Sequence, residues 1–228
     1  MADLAAAIQH IAMPPRIARL PMSDRGFPIP AFVAWLDTEG KNYLPQGTRG
    51  AKRDFRIIDH QYMDRCYRFN KCWICGEVLG RHRVFVIGPM CAVNHNTMEP
   101  PSHRGCAEYA VKTCPFMMQP RMRRNPTGKI EEHMTVPGIH LERNPGCYCL
   151  YETEHYRRIH AQGGMLCRLG EPSKVEWFTE GRPSTRAEVT ASIDSGMPFL
   201  MTIAAKEGPD AVKELAALRA KVDALLPA

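Results

Sequence analysis

Two stretches of sequence decide the fold: Cys72-Trp-Ile-Cys75-Gly76 and, starting 27 residues after Cys75, Ser102-His103-Arg-Gly-Cys106. Two thiolates three residues apart can bind one tetrahedral ion where the chain turns tightly, and a following glycine permits that turn. The second stretch repeats the three-residue spacing with a histidine and a cysteine, whose side chains point the same way on the first turn of a helix. The spacing predicts a structural zinc site with four ligands: Cys72, Cys75, His103 and Cys106.

The identity of one ligand stays open. Cys91 or Cys114 could replace His103, although Cys114 lies more than two helical turns beyond Cys106. The alternative to a metal site is a group of thiols and one histidine packed in the core. The chain has nine cysteines and no basic segment ahead of an apolar stretch at its N-terminus. We therefore expect a reducing, cytoplasmic setting, where thiols bind metal more often than they form disulfides.

The segment between the two stretches completes a recognisable pattern. Residues 77–87 read EVLGRHRVFVI and predict a β-hairpin with Gly80 in its turn. A knuckle, then a hairpin, then a ligand pair on the first turn of a helix resembles a treble-clef zinc finger. The resemblance covers residues 71–116 and implies that the metal holds this unit together.

A loop of fourteen residues is predicted from Gly88 to Pro101. Connections of this length are uncommon in a compact domain unless they bind something or are disordered, and the prolines at both ends argue against disorder. The loop contains Cys91, Asn94 and His95, which we treat as a candidate functional loop. The competing interpretation is that the loop covers the core and that its polar groups satisfy its own backbone.

The remaining pattern predicts an α+β fold. Strands are predicted at residues 31–36, 55–58, 139–141, 146–152, 165–169 and 174–179, and helices at 4–12 and 60–68. A capping box at Thr185–Glu188 predicts a helix that ends near Gly196, followed by helices at 197–207 and from Pro209 to about Leu226. We expect the treble-clef-like unit to be embedded in a mixed sheet within an α+β domain at 1–182. We expect residues 183–228 to be an all-helical segment packed on the core.

Positive charge is concentrated in one half of the chain. The net charge is +6, yet residues 16–129 hold 19 Lys and Arg against 9 Asp and Glu. Guanidinium groups suit the forked recognition of phosphate, so a nucleic acid or an acidic protein surface is the expected partner. The residues expected to contact phosphates lie in the predicted hairpin turn and in a proline-bounded loop: Arg81, Arg83, Arg121, Arg123 and Arg124. The alternative is that these residues form a solvated basic surface that binds no partner.

A catalytic alternative uses the same scaffold. Treble clefs also occur in HNH nucleases, where a hairpin histidine activates water, an asparagine orients it and a helix histidine helps to hold a metal. His82, Asn94 and His103 occur in that order here. Against this alternative, His103 is already used by the predicted zinc site, which should be coordinatively closed. We therefore expect a zinc-stabilised binding protein without catalytic residues.

Several segments of the sequence resemble those of a group of uncharacterised proteins of tailed phages and their bacterial hosts. They are CWICG, FVIGPMCAVN, EPPSH–CAEYA, CPF and GRPSTRAEVTASIDSG. The resemblance implies a phage or prophage accessory factor in the bacterial cytoplasm and brings no activity with it. No run approaches 18 apolar residues, so a membrane is not an expected partner.

Overall fold

The computed structural model describes residues 8–119, 144–161 and 164–228. The predicted strand at 139–141 lies outside the described residues, as does part of the predicted helix at 4–12. The helices are α1 Pro15–Ala18, α2 His60–Arg68, α3 Pro89–Asn94, α4 Arg104–Thr113, α5 Pro115–Met118, α6 Arg186–Glu207 and α7 Pro209–Val222. The strands are β1 Val33–Leu36, β2 Tyr43–Leu44, β3 Lys52–Ile58, β4 Arg83–Ile87, β5 Asn96–Thr97, β6 Tyr148–Thr153, β7 Tyr156–Ala161, β8 Gly164–Leu169, β9 Lys174–Thr179 and β10 Arg182–Pro183.

The strands form three sheets, with the orders β2-β1-β3, β10-β9-β6-β4 and β5-β8-β7. The expected α+β composition is confirmed, but the expectation of a mixed sheet is wrong, since all described pairings are antiparallel. The reason is local for pairs such as β7 and β8, because neighbouring strands separated by only two residues of sequence can pair only in the antiparallel sense.

The predicted hairpin at residues 77–87 is not formed. Its second half is strand β4, but β4 pairs with β6, with Phe85 opposite Tyr151. Its first half contributes one isolated bridge, between Val78 and Lys71, which closes the knuckle. Phe85 and Tyr151 are fully buried. The apolar β6 strand therefore gives β4 a better-covered partner than the exposed Val78 segment would.

The predicted fourteen-residue loop is also wrong. Residues 89–94 form helix α3, which begins with Pro89 at its first position and Gly88 as N-cap. The helix ends at Asn94, and the left-handed backbone of the C-cap residue His95 (φ 56°) turns the chain into β5. Ala92 and Val93 are buried in the main core, so packing supports a helix too short to be stable alone.

The C-terminal helices are present, but the predicted break at Gly196 is not. The capping box is confirmed: the Thr185 hydroxyl accepts from the Glu188 backbone N–H, and the Thr185 N–H donates to the Glu188 carboxylate. Helix α6 then continues through Gly196 and Pro198 to Glu207. Gly196 is there for packing, because a Cβ at this position would lie 2.5 Å from the Met90 sulfur atom. In the sequence, a glycine that lets another side chain pack closely against a helix cannot be distinguished from a glycine that ends the helix.

One hydrophobic cluster connects the sheets to the C-terminal helices. Buried Phe85 and Tyr151 of the strands share this cluster with Ile193 of α6 and Leu215 and Val222 of α7. The Trp177 indole N–H also donates to the Leu225 carbonyl oxygen over 2.9 Å. A second, smaller cluster surrounds Cys72 and Cys106 and contains Ile17, Ile74, Leu79 and Tyr109.

Candidate metal centre

The structure brings four sulfur and nitrogen ligand atoms together, all within 4.8 Å of one another: those of Cys72, Cys75, His103 and Cys106. The two cysteines of the knuckle follow α2. His103 is the N-cap residue of α4, and Cys106 lies in the first turn of that helix. Four such groups can hold a metal ion in tetrahedral coordination.

Backbone hydrogen bonds shape the knuckle around Cys72. The Cys72 N–H donates to the Glu77 carbonyl oxygen (2.7 Å), and the Gly76 N–H donates to the Cys72 carbonyl oxygen (3.0 Å). Gly76 has φ +81°, a left-handed conformation that favours glycine. The N–H groups of Cys75 and His103 both lie 3.4 Å from the Cys72 sulfur atom and donate to it. These donors stabilise a thiolate at Cys72.

His103 is oriented for coordination through Nδ1. Its Nε2 atom lies 3.0 Å from the carbonyl oxygen of Val78, and its Nδ1 atom lies 3.4 Å from the sulfur atom of Cys75. A carbonyl oxygen only accepts, so Nε2 carries the proton and the Nδ1 lone pair faces the thiols. A backbone carbonyl that receives the other ring N–H is the usual outer contact of a metal-bound histidine.

The thiols compete for protons when no cation is bound. Hydrogen bonds from Cys106 and Cys75 lower the pKa of Cys72, and the neighbouring sulfur of Cys72 raises the pKa of Cys106. The pKa of Cys75 rises to about 11, because the hydrogen bond from Cys106 is outweighed by the proximity of Cys72 and by burial. The hydrogen bond with Cys72 raises the pKa of His103. Three thiolates can therefore coexist here only with a cation between them.

The two cysteines proposed as replacements lie elsewhere. Cys91 packs against the main core from α3, and Cys114 follows the last residue of α4. Burial raises the pKa of Cys114, as expected for a packed thiol. Neither belongs to the cluster of ligand atoms, so the structure favours His103 as the fourth ligand.

The arginines predicted to contact phosphates divide into three groups. Arg81 forms a salt bridge with Glu154 (2.7 Å). Arg83 donates to the carbonyl oxygens of Arg81 and Glu154 (3.0 Å each), and its guanidinium lies over the ring of Tyr156. The other three lie outside the described residues: Arg121, Arg123 and Arg124.

Among the three residues of the candidate functional loop, Asn94 holds the α3–β5 turn, and Cys91 and His95 pack against core residues. The Asn94 side-chain oxygen accepts from the Asn96 N–H (2.9 Å). The His95 ring meets Tyr151 edge-on at 5.7 Å, and burial lowers the pKa of His95. Together with the packing of Cys91, these contacts fit the competing interpretation, in which the segment satisfies its own backbone.

The three residues of the nuclease alternative have separate partners. His82 Nδ1 lies 3.2 Å from Glu152 Oε1. Asn94 bonds within its own turn, and His103 faces the thiols. None of these contacts joins two members of the proposed catalytic set.

Sequence reasoning missed a basic hairpin formed by β7 and β8. Residues 155–170 contain three arginines, two histidines and no Asp or Glu. Arg157 and Arg168 lie directly opposite each other on the two strands, and both are exposed. The absence of Asp and Glu from this stretch is visible in the sequence. The stretch lies outside residues 16–129, the segment in which the positive charge is concentrated.

No family model, curated protein or solved structure matches this chain. Among the residues that the structure describes, no helix is long and apolar enough to cross a bilayer.

Proposed function

We propose that this chain is a zinc-stabilised, non-catalytic protein that binds nucleic acid. Three thiols and an imidazole are the donors that zinc prefers, and four protein ligands leave no coordination position for a substrate. A knuckle followed by a ligand pair at the start of a helix supports a treble-clef-like unit. In this unit, β4 pairs with β6 instead of forming the expected hairpin. A phage or prophage role in the bacterial cytoplasm stays a prediction from the resembling phrases.

The observation that carries the proposal is the arginine pair on the β7–β8 hairpin. Like charges directly opposite on neighbouring strands destabilise a sheet, and Arg157 and Arg168 are opposite and exposed. No acid lies between residues 155 and 170 to offset them. An anionic partner relieves this repulsion, and nucleic acid offers closely spaced charge to both guanidinium groups. The contacts of His82 and Asn94 do not bring these two residues together, so they give the nuclease alternative no support.

The test measures binding of short single-stranded and duplex oligonucleotides against salt concentration by fluorescence anisotropy. The variant Arg157→Gln/Arg168→Gln should flatten the log–log salt dependence by about 0.7 to 0.9 for each arginine that contacts a phosphate. The matched control is Lys206→Gln/Lys213→Gln, which removes the same charge from exposed positions of α6 and α7 and should leave the slope nearly unchanged.

Three results would refute the proposed function. The first is a wild-type protein that binds no oligonucleotide at low salt. The second is an equal flattening of the salt dependence in the arginine variant and in the lysine control. The third is displacement of the bound oligonucleotide by polyglutamate as effectively as by unlabelled oligonucleotide at the same charge concentration. That result would assign the surface to an acidic protein partner instead.

A further inference from the structure

The β7–β8 hairpin also packs against α2, and there arginines and aromatic rings alternate. The Arg158 guanidinium carbon lies 4.6 Å from the centre of the Tyr67 ring, and that of Arg83 lies 5.7 Å from the centre of the Tyr156 ring. The two tyrosine rings are 6.5 Å apart. We call these residues and the two that follow Tyr67 the arginine–aromatic surface: Tyr67, Arg68, Phe69, Arg83, Tyr156 and Arg158.

Phe69 is the most exposed ring of this surface. Its exposed fraction is 53%, the highest of any phenylalanine in the described residues. It follows the last residue of α2, and the Arg68 guanidinium lies 5.4 Å from its ring centre. The side-chain oxygen of the next residue, Asn70, accepts from Arg83 Nε over 3.4 Å, so Phe69 lies one residue from a contact with Arg83. Phe69 belongs to none of the hydrophobic clusters of the described residues, and a flat partner would cover its exposed ring.

Neighbouring carboxylates neutralise only part of the positive charge of the arginine–aromatic surface. Asp64 lies 3.4 Å from Arg158 but is 77% exposed, so this pair contributes little. Glu154 is engaged by Arg81. Arg83 donates to the carbonyl oxygens of Arg81 and Glu154, which carry no net negative charge to offset the guanidinium. Arg68 is exposed at the end of α2, beside the ring that is open to solvent.

Exposed rings and stacked guanidinium planes offer flat faces to a nucleobase, and neighbouring guanidinium N–H groups offer donors to a phosphate. A duplex hides the faces of its bases, whereas a single strand presents them. We propose that the arginine–aromatic surface binds single-stranded nucleic acid, with a base stacked on Phe69 and phosphates on Arg68 and Arg83. This inference rests on the proposed function and names the class of nucleic acid.

The experiment uses the full zinc-loaded chain and three probes of equal length: a single strand with bases, an abasic single strand and a duplex. Phe69→Ala should weaken binding of the strand with bases by about 5- to 150-fold, the range for loss of one stacked base. It should change binding of the abasic strand less than twofold, and Phe69→Tyr should restore binding. The matched control is Phe199→Ala, which removes a ring of 48% exposure from α6 and should change neither probe.

The outcomes separate the two proposals. Equal effects of Phe69→Ala and Phe199→Ala, or duplex binding as tight as single-strand binding, would overturn the stacking inference and leave nucleic-acid binding intact. Equal weakening of abasic and base-bearing strands by Phe69→Ala would also overturn it, since the ring would then act without bases. A wild-type protein that binds none of the three probes would refute the proposed function itself.

Discussion

Loss of one metal ligand should release the knuckle without unfolding the sheet. The perturbation is Cys106→Ser, which replaces a buried sulfur ligand of the cluster by a hydroxyl. Structural zinc contributes about 10–16 kcal/mol of apparent binding free energy in small fingers, so one ligand of four corresponds to about 2.5–4 kcal/mol. That is a large fraction of the stability of an ordinary domain.

The loss should be local because the ligand helix has a second attachment. Ala107 and Val111 of α4 are buried against Val84, Leu150 and Phe178, in a cluster that contains no metal ligand. The knuckle packs in the small cluster that contains the ligands Cys72, Cys75 and Cys106, and Trp73 adds contacts with Tyr62 and Cys66. In Cys106→Ser we therefore expect faster amide hydrogen exchange at residues 72–79 and little change at residues 148–153.

The matched control is Cys66→Ser. Cys66 is as buried as Cys106 (2% and 1% exposed), and its sulfur lies 4.0 Å from the Cys72 carbonyl oxygen, yet it is outside the ligand cluster. Elemental analysis should give about one zinc per chain for the wild type and for Cys66→Ser, and much less for Cys106→Ser. Zinc content that is unchanged in Cys106→Ser, or that falls equally in both variants, would refute the assignment of the ligands.

Three further predictions follow from particular contacts. The Arg182 side chain and the Thr185 backbone and hydroxyl lower the pKa of Glu188 to about 2; its stabilising effect should be present above its unfolded pKa of about 4.3 and lost as pH falls toward 2. Glu188→Gln should flatten that part of the thermal stability profile, and an unchanged profile would contradict the capping role. Gly196→Ala should lower the free energy of unfolding by up to about 2 kcal/mol, because overpacking against Met90 costs about 1–3 kcal/mol and the helix propensity of alanine returns about 1 kcal/mol. Adding Met90→Ala should recover part of the loss unless the packing argument is wrong. Zinc chelation should weaken binding of base-bearing single strands more than that of abasic strands; equal weakening would show that the metal does not position Phe69.

The cluster of four potential metal ligands was predictable because its information is local. Spacing within each pair fixes which side chains share a turn, and both pairs carry their own turn signals, Gly76 and the start of α4. The partner of β4 was not predictable, because β6 begins more than 60 residues later in the chain and alternation of apolar residues does not identify a partner. The same limit hid the arginine–aromatic surface, which forms only when β7 packs beside α2.

Hydrogen bonds connect the metal centre to the proposed binding surface. The Leu79 N–H donates to the Asn70 carbonyl oxygen over 2.8 Å, and the Asn70 side-chain amide donates to the Leu79 carbonyl oxygen over 3.0 Å. Asn70 directly follows Phe69, and Leu79 directly follows Val78, whose carbonyl oxygen accepts from His103. A bound metal that fixes His103 therefore also fixes the segment to which Phe69 is tied. Ordering this segment before binding lowers the conformational entropy lost when a base stacks, so a structural metal can strengthen nucleic-acid binding without touching the nucleic acid.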